Sequence, residues 1–234
     1  PSDYYPFADR RVLVGIPNAL DVLSNVGFAV VGIWGLLSLR RGVSFLDPRE
    51  RYPWTVLFAG VALTSLGSAW FHLAPDDARL VWDRVPMTLG FMGLFAALLA
   101  ERASVRLGAL ALAPLVALGA ASVGWWRQTG NLAPYLVVQF YPLLAIPILL
   151  WLFPARYTRG ADLLIALGWY LLAKEAETHD RDIFLALAFV SGHTLKHLLA
   201  TAGAGWIAGM LLMRRPAPGR AASAPACSPP PARP

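Results

Sequence analysis

The sequence predicts an all-α integral membrane protein, a bundle of seven transmembrane helices. Three observations carry that expectation. Hydrophobic residues make up 57% of the 234-residue chain and charged residues only 15%. Apolar stretches of about 20 residues, the length an α-helix needs to cross a bilayer, follow one another along nearly the whole chain. Lipid offers no hydrogen bonds to an open backbone, so spans built from such stretches must be helices. The net charge of +6 does not mark a nucleic-acid partner, because the arginines lie scattered in short loops and the tail. The single cysteine, Cys227, excludes a disulfide framework and any cysteine metal site.

Residues 1–17 are polar and aromatic, with Tyr4, Tyr5, Phe7, Asp9, Arg10 and Arg11, and read as an interfacial segment. The chain opens at Pro1 without a methionine, which leaves room for a segment upstream. The first span is expected over 18–39, where Asn18, Asp21, Ser24 and Asn25 gather roughly on one face. N-capping and helix–helix hydrogen bonding explain such a face as well as a functional cluster does. A second span, 54–73, carries Ser68 and His72 one turn apart; a third, 78–99, holds Trp82-Asp83-Arg84 near its start. Spans four to six are expected over 105–123, 132–153 and 161–173. The sixth ends in a polar loop containing His179, read as a surface residue. The seventh comes from the long apolar run 183–213. These spans form one domain, 18–213, and the Pro/Ala/Arg-rich tail, 214–234, has a composition that cannot bury a core and is expected to be disordered.

The basic residues orient the bundle. Arg40, Arg41, Arg49, Arg51, Arg102, Arg106, Arg156, Arg159, Arg214 and Arg215 fall on one side of the alternating loops. The positive-inside rule makes that side cytoplasmic, with the N-terminus outside.

His193 and His197 stand four apart in the last span, so both imidazoles leave one helical face. Two imidazoles at that spacing can chelate a metal ion, whereas a single intramembrane histidine is better explained as glue between helices. His72 and Asp83 lie near the outer ends of the second and third spans, and the seventh enters from the same side. Ser68, His72, Asp83, His193 and His197 can therefore meet at similar depth. Three histidines and an open position match a catalytic zinc site, where water takes the fourth place. A nearby carboxylate, Asp83, can move that water's proton, and the Ser68 hydroxyl can support a developing oxyanion.

The run Gly67-Ser68-Ala69-Trp70-Phe71-His72, then Asp83-Arg84-Val85-Pro86-Met87, then His193 and His197, resembles the alkaline ceramidases. They belong to a seven-helix hydrolase superfamily that includes the adiponectin-type receptors. Asp21-Val22-Leu23-Ser24-Asn25 is similar to that family's opening of the first helix, and the compact loops look like bacterial members. The resemblance implies zinc on His72, His193 and His197, with Asp83 and Ser68 catalytic. It further implies hydrolysis of a membrane lipid substrate, a ceramide-type N-acyl amide, in a bacterial inner membrane. Eukaryotic members also hold calcium before the first helix. Here Asp9, Asn18 and Asp21 are the candidates for a second, calcium-like site, with too few acidic ligands to make Ca²⁺ an expected cofactor.

Other classes remain to be weighed. A receptor-like, lipid-sensing protein with structural zinc keeps the same residues. A bis-histidine haem fits poorly, because His193 and His197 aim at one point. A serine intramembrane protease fits worse, because Ser68 lacks a glycine-rich nucleophile setting.

Overall fold

The computed structural model describes residues 7–218. Nine α-helices follow in order among them: α1 Ala19–Leu23, α2 Val26–Arg41, α3 Arg51–Leu73, α4 Asp77–Leu98, α5 Val105–Thr129, α6 Ala133–Leu152, α7 Asp162–Thr178, α8 Asp180–Leu187 and α9 Gly192–Met213. A 3₁₀ turn, Pro48–Glu50, leads into α3, and a π-helical turn, Leu99–Ala103, ends α4. The described residues form no β-strand, only the isolated bridges Leu13–Ile16 and Tyr157–Pro216.

Among the described residues six segments are long and apolar enough to cross a membrane: α1 with α2, α3, α4, α5, α6 and α9. That makes the chain a multi-pass membrane protein. The expected span missing from that set is the sixth, α7, whose 17 residues fall short of it. It nevertheless runs the length of α9. Just before α7, Thr158 donates its backbone N–H to Arg215, beyond the end of α9, at 2.8 Å. Near the end of α7, Glu177 Oε1 lies 2.9 Å from Lys196 Nζ, in the second turn of α9.

Several expected boundaries are corrected by local hydrogen bonding. The first span breaks between α1 and α2. Asn25 Nδ2 donates to the Asp21 carbonyl at 2.7 Å, and the Asn25 backbone N–H turns instead to Val22 at 3.3 Å. A side-chain amide competing for an i−4 carbonyl is a common cause of such a kink. The apolar run 183–213 is not one helix. Ala188, in the left-handed region at φ 61, ends α8, and the Ser191 hydroxyl caps α9 by accepting from Thr194 N–H at 3.0 Å. Helix α7 continues past residue 173 to Thr178, which puts Lys174 and Glu177 on a helix.

The tail is ordered at its start. Arg214 is buried, bonded to Glu101, and stacked 3.9 Å over the Tyr157 ring. Glu101 also accepts from Trp54 Nε1 at 2.9 Å. Glu50, fully buried, takes Tyr157 Oη and, at 2.8 Å, Arg156. This network ties the loops at the arginine-rich end. Residues 1–6 and 219–234, including most of the tail expected to be disordered, lie outside the described residues.

At the other end, α3 and α4 approach closely enough to set the site. Pro86 has no N–H to give the carbonyl of Trp82, four residues earlier. That carbonyl faces Gly67, where a Cβ would stand 1.9 Å from the Trp82 oxygen. Glycine at 67 therefore lets Ser68 and Asp83 face each other across the helix pair. Gly67→Ala should force the helices apart and destabilise the bundle by about 1–3 kcal/mol. Thermal unfolding in detergent measures this, and an unchanged midpoint would contradict the packing.

Candidate metal centre

Helix α3 ends one residue beyond His72, and this carries the imidazole to the mouth of the bundle. The carbonyl of His72, left without an intrahelical donor there, accepts from Asn18 Nδ2 at 2.8 Å. Helix α9 begins one residue before His193. Gly192 makes that start possible, because a Cβ there would stand 2.0 Å from the Ala176 carbonyl of α7. Asp180 Oδ1 accepts the His193 backbone N–H at 2.7 Å and so adds a second cap to Ser191.

The three histidines converge. His72, His193 and His197 are all buried, with ring centroids 4.7, 5.1 and 4.9 Å apart pairwise and edge-to-face. Each offers a ring nitrogen within 4.8 Å of the others. The Nε2 atoms of His72 and His193 lie 3.2 Å apart. Two nitrogens about 2.0–2.1 Å from one tetrahedral ion would be separated by about 3.3 Å, so the spacing fits a shared divalent metal.

The tautomer of His197 is fixed by a relay the sequence did not announce. Ser24 Oγ donates to the Asp21 carbonyl at 3.1 Å and lies 2.8 Å from His197 Nδ1. With its proton committed, the hydroxyl accepts from Nδ1–H, which leaves the Nε2 lone pair facing the other histidines. His193 Nε2 likewise presents a lone pair, since it accepts from Lys196 Nζ at 3.0 Å. An ion taking that lone pair leaves Lys196 to its second partner, Glu177. The donor set thus suits a metal ion that binds neutral imidazoles.

Asp83 and Ser68 face the same cavity, of about 410 Å³, which the three histidines also line. The Ser68 hydroxyl is the side-chain hydrogen-bonding neighbour of the Asp83 carboxylate. Among the described residues no ion pair joins Asp83 to the adjacent Arg84, whose guanidinium lies instead 4.2 Å over the Trp126 ring. All five residues expected to meet do so.

Each residue of the calcium-like trio has a protein partner, while Asp21 Oδ2 is buried without one. Arg11 grips both Asp9 oxygens, Nε at 2.8 Å and Nη2 at 2.7 Å. That hydrogen bonding holds the Asp9 carboxyl below the usual carboxylate range. Asp21 Oδ1 accepts from Thr194 Oγ1 at 2.7 Å and Ser191 Oγ at 3.3 Å, and Asn18 serves His72. Asn18 and Asp21 thereby buttress the histidine centre. His179 sits exposed at the α7–α8 junction, as expected of a surface residue.

Sequence reasoning missed Lys174, Glu177 and Lys196, which form a connected charge group at the cavity wall. It also missed Phe7, whose ring lies 4.8 Å from both His72 and His193. Lys196 lies between the two histidines in sequence, and a lysine on a membrane helix is itself a signal. Phe7 carried none.

Set against known proteins, the chain matches no family model and none of the curated proteins.

Ser24→Ala should weaken metal binding roughly 10- to 100-fold while leaving the fold intact, because Nδ1 loses the acceptor that orients the ring. Competition against a zinc-sensitive dye measures this. Wild-type affinity in the variant would remove Ser24 from the site.

Proposed function

We propose that this protein is a zinc-dependent intramembrane hydrolase of lipid amides, similar in chemistry to the alkaline ceramidases. The observation that carries the reading is the meeting of the histidine triad with Asp83 and Ser68 on one cavity. A second, almost wholly apolar cavity of about 160 Å³ adds support. It shares Phe28, Thr64, Met87, Tyr170 and Ala200 with the first and extends between α3, α4, α6, α7 and α9. A polar reacting centre opening into an apolar slot suits an amide on an acyl chain.

Zinc on His72, His193 and His197 would supply Lewis acidity, lowering the pKa of a water and polarising the amide carbonyl. Asp83 accepts the proton of the attacking water and delivers it to the departing amine nitrogen. The Ser68 hydroxyl donates a hydrogen bond to the carbonyl oxygen as negative charge builds there. Phe7, Phe28 and Phe71 around the histidines keep bulk water from the reacting atoms. The products are a fatty acid and an amine, a sphingoid base where the lipid is ceramide.

We also propose that α7 is a seventh crossing, since it spans the same depth as α9. The N-terminus then lies outside, the C-terminus in the cytoplasm, and the site on the outer face of a bacterial inner membrane. With Cys227 first replaced by serine, cysteines at Asp77 and Arg159 should label from outside and inside respectively, and one at Arg181, just past α7, from outside. Labelling of Asp77 and Arg159 from one side would reject the orientation, and labelling of Arg159 and Arg181 from one side would reject the crossing.

Turnover of a labelled N-acyl lipid by purified protein tests the chemistry. Asp83→Asn keeps the shape but cannot accept a proton, so activity should fall roughly 10²- to 10⁴-fold with zinc still bound. Ser68→Ala should cost about 10²- to 10³-fold, also without metal loss. A folded, zinc-loaded Asp83→Asn protein with full activity would refute the role. Zinc and lipid binding without any turnover in wild type would instead favour a receptor-like protein.

A further inference from the structure

The histidine cavity is lined by six charged residues: Asp83, Arg84, Lys174, Glu177, Asp180 and Lys196. Five of them are engaged. Lys174 and Lys196 both pair with Glu177. Asp180 accepts backbone N–H groups from His193 at 2.7 Å and Ala8 at 2.9 Å. Asp83 has Ser68 beside it.

Arg84 is different. Its guanidinium is stacked 4.2 Å over Trp126 and lies 5.0 Å from the Tyr135 ring centroid. No hydrogen bond or ion pair reaches it from the described residues, and its Nη1 is buried without a partner. A guanidinium carries five donors in a rigid fork, and one left unsatisfied inside a membrane bundle is costly. Aromatic stacking fixes its plane but supplies no acceptor. The usual solution for a held, unpaired arginine in a cavity wall is an acceptor brought by the ligand, and a planar carboxylate matches the fork with two parallel hydrogen bonds.

We propose that Arg84 binds a carboxylate on the amine portion of the substrate, so that the preferred lipids are N-acyl amino acids rather than neutral ceramides. The proposal rests on the lipid-amide hydrolase reading and names the head group that site takes. Asp83 and Arg84 are consecutive on α4. The reacting nitrogen and a carboxylate a few atoms from it are therefore met by neighbouring residues. Arg84 acts on specificity and positioning, and Asp83 on the proton.

The test uses zinc-loaded full-length protein in nanodiscs with two matched, uncleavable ether lipids, one ending in a carboxylate and one in a hydroxyl. Tryptophan fluorescence reports binding, since Trp126 lies beneath Arg84. Wild type should bind the carboxylate lipid roughly 10- to 100-fold more tightly, as a charge-assisted hydrogen-bond pair implies. Arg84→Gln should erase that preference while keeping the affinity for the hydroxyl lipid, and Arg84→Lys should restore part of it. Equal affinities in wild type would overturn the proposal, as would a preference that survives Arg84→Gln. Equal loss of both lipids in both variants would overturn it too, by making Arg84 a structural residue. None of these outcomes depends on turnover. A failure to cleave any N-acyl amide would count against the hydrolase reading alone.

Discussion

The cost of burying polar groups in a membrane bundle governs this structure more than any single contact does. Three imidazoles, a carboxylate and a cluster of charged side chains sit between apolar helices, and each needs a partner because lipid supplies none. Most of the departures from plain helix follow from that need. The Asn25 amide kinks the first crossing and leaves Ser24 free to meet His197. The end of α3 exposes the His72 carbonyl, and Asn18 meets it. The start of α9 exposes backbone N–H groups, and Ser191 and Asp180 meet those. The helix ends and the site are one hydrogen-bonded system.

The centre of that system was legible in the sequence because its residues are improbable where they stand. His193 and His197 at one-turn spacing inside an apolar run, and Ser68 and His72 at the same spacing in another, could be aligned in depth from topology alone. The spans were legible for the same reason, as apolar length is a strong signal. The supports were harder. Ser24 and Asp21 were visible as a polar face, yet nothing local says that Asp21 supplies a carbonyl to Ser24 and a carboxylate oxygen to Thr194. Their partners lie some 170 positions away. Asp9, Asn18 and Asp21 stood out in sequence by their oxygens alone, whereas their partners Arg11, the His72 carbonyl and Thr194 show only in the fold.

Boundaries failed where apolar composition hides a break. Residues 183–213 read as one helix because Ala188, Phe189 and Val190 are as apolar as their neighbours, and alanine is a poor marker for a left-handed residue. The real signal was Ser191-Gly192, a cap followed by the one residue small enough to sit against the Ala176 carbonyl. The end of α7 failed in the opposite way. Lys174-Glu175-Ala176-Glu177 looked like a loop by charge, but charges three apart on a helix pair with each other and with Lys196. Polarity there marked the wall of the cavity rather than the end of the helix.

The two ends of the bundle divide the work. At the arginine-rich end, Glu50, Glu101, Arg156 and Arg214 close on Tyr157 and Trp54, so loops and tail are tied by buried ion pairs. Such pairs gain little over an apolar core, but breaking one leaves an uncompensated charge, so the arrangement is defended once formed. At the opposite end the covering is lighter. Of residues 7–17 only Asp9 is buried, and α8 buries none. They are held by Arg11, through Asp9 and the Ala188 and Phe189 carbonyls, by Asp180, through Ala8, and by the Phe7 ring against His72 and His193. Segments with few buried residues are the low-stability part of a fold, and they are where opening costs least. A bundle firm at one end and lightly covered at the other keeps its three imidazoles in register while leaving their cavity accessible.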